Sequence, residues 1–178
     1  GHSVPDVAPT DTFDMLAGVL GSVDLQLQRV RHGVALREAL SDATPTMWPA
    51  DGWLSASYGY REDPFTGERD YHPAIDISTR SGQPVYATAT GRVIEASRNG
   101  DYGKLIQIAH GFGLVTRYGH LADYAVEVGD TVERGEVIGY VGSTGRATGS
   151  HVHYEVLVNG RTLNPLRLLP DTDAVSAN

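Results

Sequence analysis

The chain contains no cysteine, which excludes a disulfide framework and any thiolate metal site. A metal held by this protein must therefore sit on histidine and carboxylate. The compartment stays open, since cysteine-free proteins occur on both sides of a membrane. No run of about 18 or more apolar residues exists, so no helical membrane span is expected. Nucleic acid is a poor partner for a chain of formal net charge -8,. Lysine is almost missing: of 14 basic residues only Lys104 is a lysine. No secretory signal opens the sequence. Gly1-His2 reads as the remnant of a cleaved tag, so a native leader is expected to be missing.

What is present argues for one folded domain with a helical appendage. The chain has 178 residues, 40% of them apolar, which is an ordinary content for a globular protein. We expect residues 1–9 to be tag remnant and leader, 10–44 a helical segment, 45–170 a β domain and 171–178 a flexible tail. In the helical segment Leu16, Leu20, Val23, Leu27, Val30 and Val34 recur at spacings of 4, 3, 4, 3 and 4, the seam of an amphipathic helix or coiled coil. Asp11 or Thr12 is expected as N-cap, and Ser41-Asp42 followed by Pro45 as the stop. Gly18, Gly21 and Gly33 each weaken the helix by about 1 kcal/mol relative to alanine, with a bend expected near Gly21. The helix packs on its own domain, or docks a regulator or a second copy.

From Trp48 onward short β-branched runs alternate with turn signals such as Asn99-Gly100, Gly129-Asp130 and Asn159-Gly160. The expected fold class is mainly β, a compact antiparallel sandwich or barrel-sandwich of short strands. Across Val126–Gly139, Gly129 and Gly135 are expected to take positive φ, while Val128, Val132 and Val137 feed the core. This staircase resembles the biotinyl/lipoyl carrier fold. A carrier needs a modifiable lysine at a hairpin tip, and Lys104 lies at the start of an apolar strand instead, so the carrier function fails.

The histidines carry the chemistry. His2 belongs to the tag remnant, His32 is expected in solvent, and His110 is expected to hydrogen-bond backbone. His151 and His153, two apart on a strand, point to one face. In His72-Pro73-Ala74-Ile75-Asp76-Ile77 the two isoleucines enter the core and the carboxylate faces the other way. Hydrolytic zinc takes three nitrogen or oxygen ligands and keeps one position open. His72, Asp76 and one of His151 and His153 supply that set, and spacing alone leaves open which. The other histidine and His120 remain for acid–base work and oxyanion stabilisation.

These blocks, with Tyr102-Gly103, Thr116-Arg117-Tyr118-Gly119-His120-Leu121, Val141-Gly142-Ser143-Thr144-Gly145 and Asn164-Pro165, resemble zinc endopeptidases of the lysostaphin/LytM type over residues 45–170. The resemblance implies the duplicated hybrid β motif of LytM-like domains and one Zn2+ per chain. It places the metal ligands on His72, Asp76 and His153, and the catalytic histidines on His120 and His151. Pro73-Ala74 departs from the His-Gly that often follows the first ligand, which touches loop geometry only. The resemblance implies hydrolysis of peptidoglycan peptide crosslinks in the periplasm or cell envelope of a bacterium. Arg61, Arg117 and Arg146 are then candidates to meet substrate carboxylates. Two other readings compete. A non-catalytic LytM-type activator of a cell-wall amidase typically loses metal ligands, and none is lost here. A phosphocarrier of related fold finds no support in Asp76.

Overall fold

The computed structural model describes residues 9–63 and 66–171; the expected leader and tail lie almost wholly outside them. The chain divides into two units between Ala39 and Leu40. The helix α1 spans Pro9–Ala43, so the first unit holds all of it but its last turn. It begins earlier than the expected caps at Asp11 and Thr12, because proline's fixed φ already suits a first helical turn. It stays helical through Gly18, Gly21 and Gly33 and stops where expected, just before Pro45. All six seam residues are exposed, and so are Met15, Val19, Leu25 and Leu36 on its other sides. His32 is exposed as well. No helix of the described residues is long and apolar enough to cross a membrane.

Among the described residues the second unit is built from thirteen short strands. In chain order they are β1 (Trp53–Ala56), β2 (Gly59–Glu62), β3 (Arg69–His72), β4 (Ile75–Ser78), β5 (Pro84–Tyr86), β6 (Gly91–Asn99) and β7 (Gly103–Gly111). There follow β8 (Leu114–Leu121), β9 (Asp123–Tyr124), β10 (Thr131–Val132), β11 (Val137–Tyr140), β12 (His151–Val158) and β13 (Arg161–Leu163). The main sheet runs β1-β4-β12-β8-β7-β6-β10, with β13 beside β12. A three-stranded sheet β5-β11-β9 and the hairpin β2-β3 complete the unit. The pairings are antiparallel throughout, as the recurrent turn signals require.

Strand alternation explains the core. Ile75 and Ile77 of β4, Tyr118 of β8 and Val152, Tyr154 and Val156 of β12 point to one side and are buried together with Ile106, Ile108 and Ile138. Four hydroxyls and an imidazole share that interior. Tyr154, Thr88, Tyr118, Thr116 and His110 form one continuous hydrogen-bonded chain that ends on the Thr90 carbonyl. His110 thus has the backbone partner expected of it, and burial lowers its pKa below the ordinary 6.5,.

Two staircase residues depart from expectation, and the first is Val137, which is only half-buried and lies outside the core cluster. Gly129 and Gly135 do adopt positive φ, 103° and 85°, and Val132 is buried. Val128, however, is exposed. The turn closed by Asp130 N–H on the Glu127 carbonyl puts Val128 at its first corner, where the side chain swings outward,.

Candidate active site

The opposite face of β4, β12 and β8 carries polar side chains. His153 pairs with Asp76 across β12 and β4, and with Gly119 across β12 and β8. Between two core residues, Asp76 has nowhere to point but away from the interior. The side chains of His72, Asp76 and His153 meet there, with candidate ligand atoms all within 4.8 Å of one another. His72 Nε2 lies 3.2 Å from Asp76 Oδ1 and 3.3 Å from His153 Nδ1. His153 Nδ1 lies 3.1 Å from Asp76 Oδ1.

These separations test the fit to a cation. Zinc bonds of about 2.0–2.1 Å in a tetrahedron put ligand atoms about 3.3–3.4 Å apart. The three edges of this triangle are within a few tenths of that length. The donor set, two imidazoles and a carboxylate, is also the borderline chemistry zinc prefers. The residues fit.

Hydrogen bonds fix which nitrogen faces the triangle. His72 Nδ1–H donates to the Ser57 carbonyl at 3.1 Å, leaving Nε2 bare,. His153 turns its Nε2 to Glu155 Oε1 at 3.0 Å. A carboxylate only accepts, so that nitrogen carries hydrogen and Nδ1 faces His72 and Asp76. Burial disfavours charge on Asp76, yet the close approach of the His153 and His72 rings outweighs it and holds the carboxyl well below its usual range. Burial likewise lowers the His153 pKa, and its bonds to Asp76 and Glu155 overcome this to raise it. Glu155 is buried but kept low by His153 and Tyr102. Burial and the bond to Glu155 push Tyr102 up to about 12.

His120 arrives by a distortion. Tyr118 opposes Ile106 and Leu121 opposes Lys104, so Gly119 and His120 together face the single residue Leu105. This is a β-bulge, and His120 takes φ 61° within it. Regular alternation would send His120 into the core after Tyr118. The bulge holds it on the site's face and returns Leu121 to the interior,. The positive φ costs on the order of 1–3 kcal/mol, a strain that clusters at functional sites. His120 Nδ1–H donates to the Thr144 carbonyl at 2.8 Å, and His151 Nδ1–H to the Gly149 carbonyl at 2.9 Å. The two rings lie 4.6 Å apart with both Nε2 atoms unclaimed by those carbonyls. Burial pushes the His120 pKa down to about 4.

All five residues line one cleft of about 640 Å³, with Trp53 and Tyr102 on its walls. Two of the three candidate arginines also line it. Arg61 Nη1 reaches Asp76 Oδ2 at 3.4 Å. Arg146 Nη2 lies 3.0 Å from each oxygen of Asp63, joining the loop before β12 to the end of the β2-β3 hairpin. Arg117 does not line the cleft. It donates to Glu155 Oε2 and Gln107 Oε1, both at 3.1 Å, because its neighbours across the sheet are these two acceptors rather than the open groove. The expectation that Arg117 faces substrate therefore has no support in its position.

The sequence assigns no role to Glu155 or Tyr102. A signal for Glu155 existed: His151, His153 and Glu155 keep the period of two that puts side chains on one face. The three orienting carbonyls leave no mark in a sequence.

The chain is similar to known proteins over this region. The sequence model of peptidase family M23 matches residues 70–165. The DD-carboxypeptidase/endopeptidase Mpg of Neisseria meningitidis serogroup B is 40% identical over 126 residues, which is 70% of this chain and 29% of that protein. The peptidoglycan DD-endopeptidase ShyB of Vibrio cholerae is 39% identical over 119 residues, 66% of this chain and 28% of that protein. This chain thus spans under a third of the length of these curated relatives. A zinc-containing peptidase from Vibrio cholerae superposes with a TM-score of 0.66 at 35% identity, over 71% of this chain and 41% of the other. The catalytic domain of lysostaphin from Staphylococcus simulans gives 0.60 at 29% identity, over 66% and 91% respectively.

Proposed function

Since the chain belongs to peptidase family M23, we propose that it is a zinc-dependent endopeptidase that hydrolyses peptide crosslinks of bacterial peptidoglycan. The observation that carries this is the convergence of His72, Asp76 and His153 at cation-binding separations. The relatives' names as DD-endopeptidases support crosslinks that contain D-amino acids as the bonds cut. The cell envelope, and the periplasm in particular, is where such a substrate is met. An activator without chemistry has no lost ligand to rest on.

His72 Nε2, the Asp76 carboxylate and His153 Nδ1 would hold one zinc ion. Zinc in such a site supplies Lewis acidity, which acidifies water and polarises a scissile carbonyl. His120 is kept neutral by burial, so its Nε2 lone pair is ready to take the proton released as water attacks. His120 can then pass that proton from Nε2 to the departing amine, while His151 Nε2, on the other side of the same opening, stands ready as a second acceptor for a proton of the attacking water. The two carbonyls on their Nδ1 atoms keep both rings in the required tautomer. Arg61 and Arg146 on the cleft walls are suited to stem-peptide carboxylates.

The test is digestion of purified crosslinked sacculi followed by muropeptide chromatography, with and without a chelator. We expect crosslinked dimers to disappear, and chelation or His151→Ala to stop their loss. His72→Ala should lose metal, whereas His120→Ala should keep metal and lose rate. Loss of dimers that survives both chelation and His151→Ala refutes the reading.

A further inference from the structure

Four polar side chains stand opposite one another on four adjacent strands of the main sheet. Glu155 of β12 pairs in register with Arg117 of β8, Arg117 with Gln107 of β7, and Gln107 with Glu95 of β6. Contacts run unbroken along this row. Arg117 Nη1 donates to Glu155 Oε2 and Arg117 Nε to Gln107 Oε1, each at 3.1 Å. Gln107 Nε2 donates to Glu95 Oε2. Ser97 Oγ and Asn99 Nδ2 hold the far carboxylate from outside through Glu95 Oε1, at 2.7 and 3.1 Å.

The row has only one possible polarity. Arginine has donors alone, so Gln107 must show it the carbonyl oxygen and turn the amide NH2 to Glu95. Glu155 then spends one oxygen on Arg117 and offers the other to His153 Nε2 and the Tyr102 hydroxyl, at 3.0 and 2.8 Å. The Glu155 side chain is 1% exposed, while that of Arg117 is 29% exposed. A carboxylate this deep, gripped from three directions, leaves the His153 ring one orientation and one tautomer.

We propose that the cross-strand row Glu155–Arg117–Gln107–Glu95 is a positioning device that aims His153 Nδ1 at the cation, with Arg117 acting through Glu155 and touching neither cation nor substrate. This rests on the metal-site reading above. It also gives Arg117 a role that a substrate contact does not: its loss acts on metal affinity before it acts on substrate binding.

The experiment measures zinc dissociation constants by competition with a chromophoric chelator, and the visible spectrum of the cobalt-substituted protein, for the full chain and for Arg117→Met. Outer partners of metal-bound histidines are typically worth about 10–100-fold in affinity, and a weakening in that range with an altered cobalt spectrum is expected. Arg117→Lys, which keeps one donor for Glu155, should recover part of the loss. KM for muropeptide substrate, measured at saturating zinc, should stay near that of the parent chain. Zinc binding by Arg117→Met within about twofold of the parent overturns the proposal, as does a raised KM with unchanged metal affinity. If Arg117→Met does not fold, Gln107→Met at its half-buried position carries the test, and unchanged zinc affinity there overturns it equally. A parent chain that binds no zinc would instead refute the metal site itself, which separates the two failures.

Discussion

The hydrogen-bonded chain inside the β unit makes a demanding prediction about stability. Thr88 Oγ1 is fully buried and lies 2.9 Å from the Tyr154 hydroxyl and 3.0 Å from that of Tyr118. Tyr118 also accepts the Thr88 amide N–H, at 3.1 Å, and meets Thr116. Thr88→Val keeps the shape and removes the hydroxyl, so Tyr118 retains two partners while the buried Tyr154 hydroxyl loses its partner on Thr88. An orphaned buried hydroxyl costs about 1–3 kcal/mol, whereas Tyr154→Phe forfeits only the net value of one hydrogen bond, about 0.5–1.5 kcal/mol. In the double variant no phenol is stranded at position 154. Its cost should approach that of Tyr154→Phe alone and fall about 1–3 kcal/mol below the sum of the single costs. The assay is equilibrium urea unfolding at fixed zinc concentration, followed by tryptophan fluorescence, since both tryptophans, Trp48 and Trp53, lie beyond α1. Because these residues occupy the core face, cleavage by the folded variants should stay within a few-fold of the parent. Single costs that add to within about 0.5 kcal/mol would refute the argument that the hydroxyls are coupled.

Zinc at a hundredfold over its dissociation constant should stabilise the protein by about 2.7 kcal/mol; thermal unfolding with and without zinc checks this, and His153→Ala should abolish the difference. Gly103 has φ 65°, and a Cβ there would come within 2.4 Å of Thr144, whose carbonyl orients His120. Gly103→Ala should therefore lower kcat while zinc affinity changes little, and equal losses of both would contradict it. His110 has a folded pKa depressed below 6.5 by burial, so near and below pH 6.5 the unfolded chain binds the extra proton. Its contribution is present above that pH and is lost as pH falls, so the stability gap between the parent and His110→Gln should shrink from pH 7 to pH 5. A gap constant with pH would refute this. Burial also places the His120 pKa at about 4, so the acid limb of kcat/KM assigned to it should lie well below 6.5, and a limb at the ordinary value would argue against His120 as the base.

Much of the fold could be read from alternation alone. Ile75-Asp76-Ile77 and His151-Val152-His153 each declare a buried and an open face, and the structure puts them on paired strands with His153 opposite Asp76. The turn glycines at 129 and 135 were legible for the same reason: few residues other than glycine tolerate their φ. The position of His120 was not. Period two sends it inward, and only the mispairing of Gly119 and His120 against Leu105 reverses that, a tertiary event without a local signature. Arg117 misled because a lone arginine in a strand says nothing about its neighbours across the sheet. Val128 misled because a β-branched residue was weighed without the turn it opens. The seam of α1 was plain in its spacing, whereas the exposure of its six seam residues is a fact that spacing does not contain.

Three of the four imidazoles that line the cleft are steered by main-chain oxygens of Ser57, Thr144 and Gly149, and point mutation cannot delete a carbonyl. Their aim is encoded in the path of the loops rather than in the identity of the residues there. Drift at those positions is therefore tolerated as long as loop length and course survive, while a one-residue insertion would misdirect a histidine whose own codon never changed.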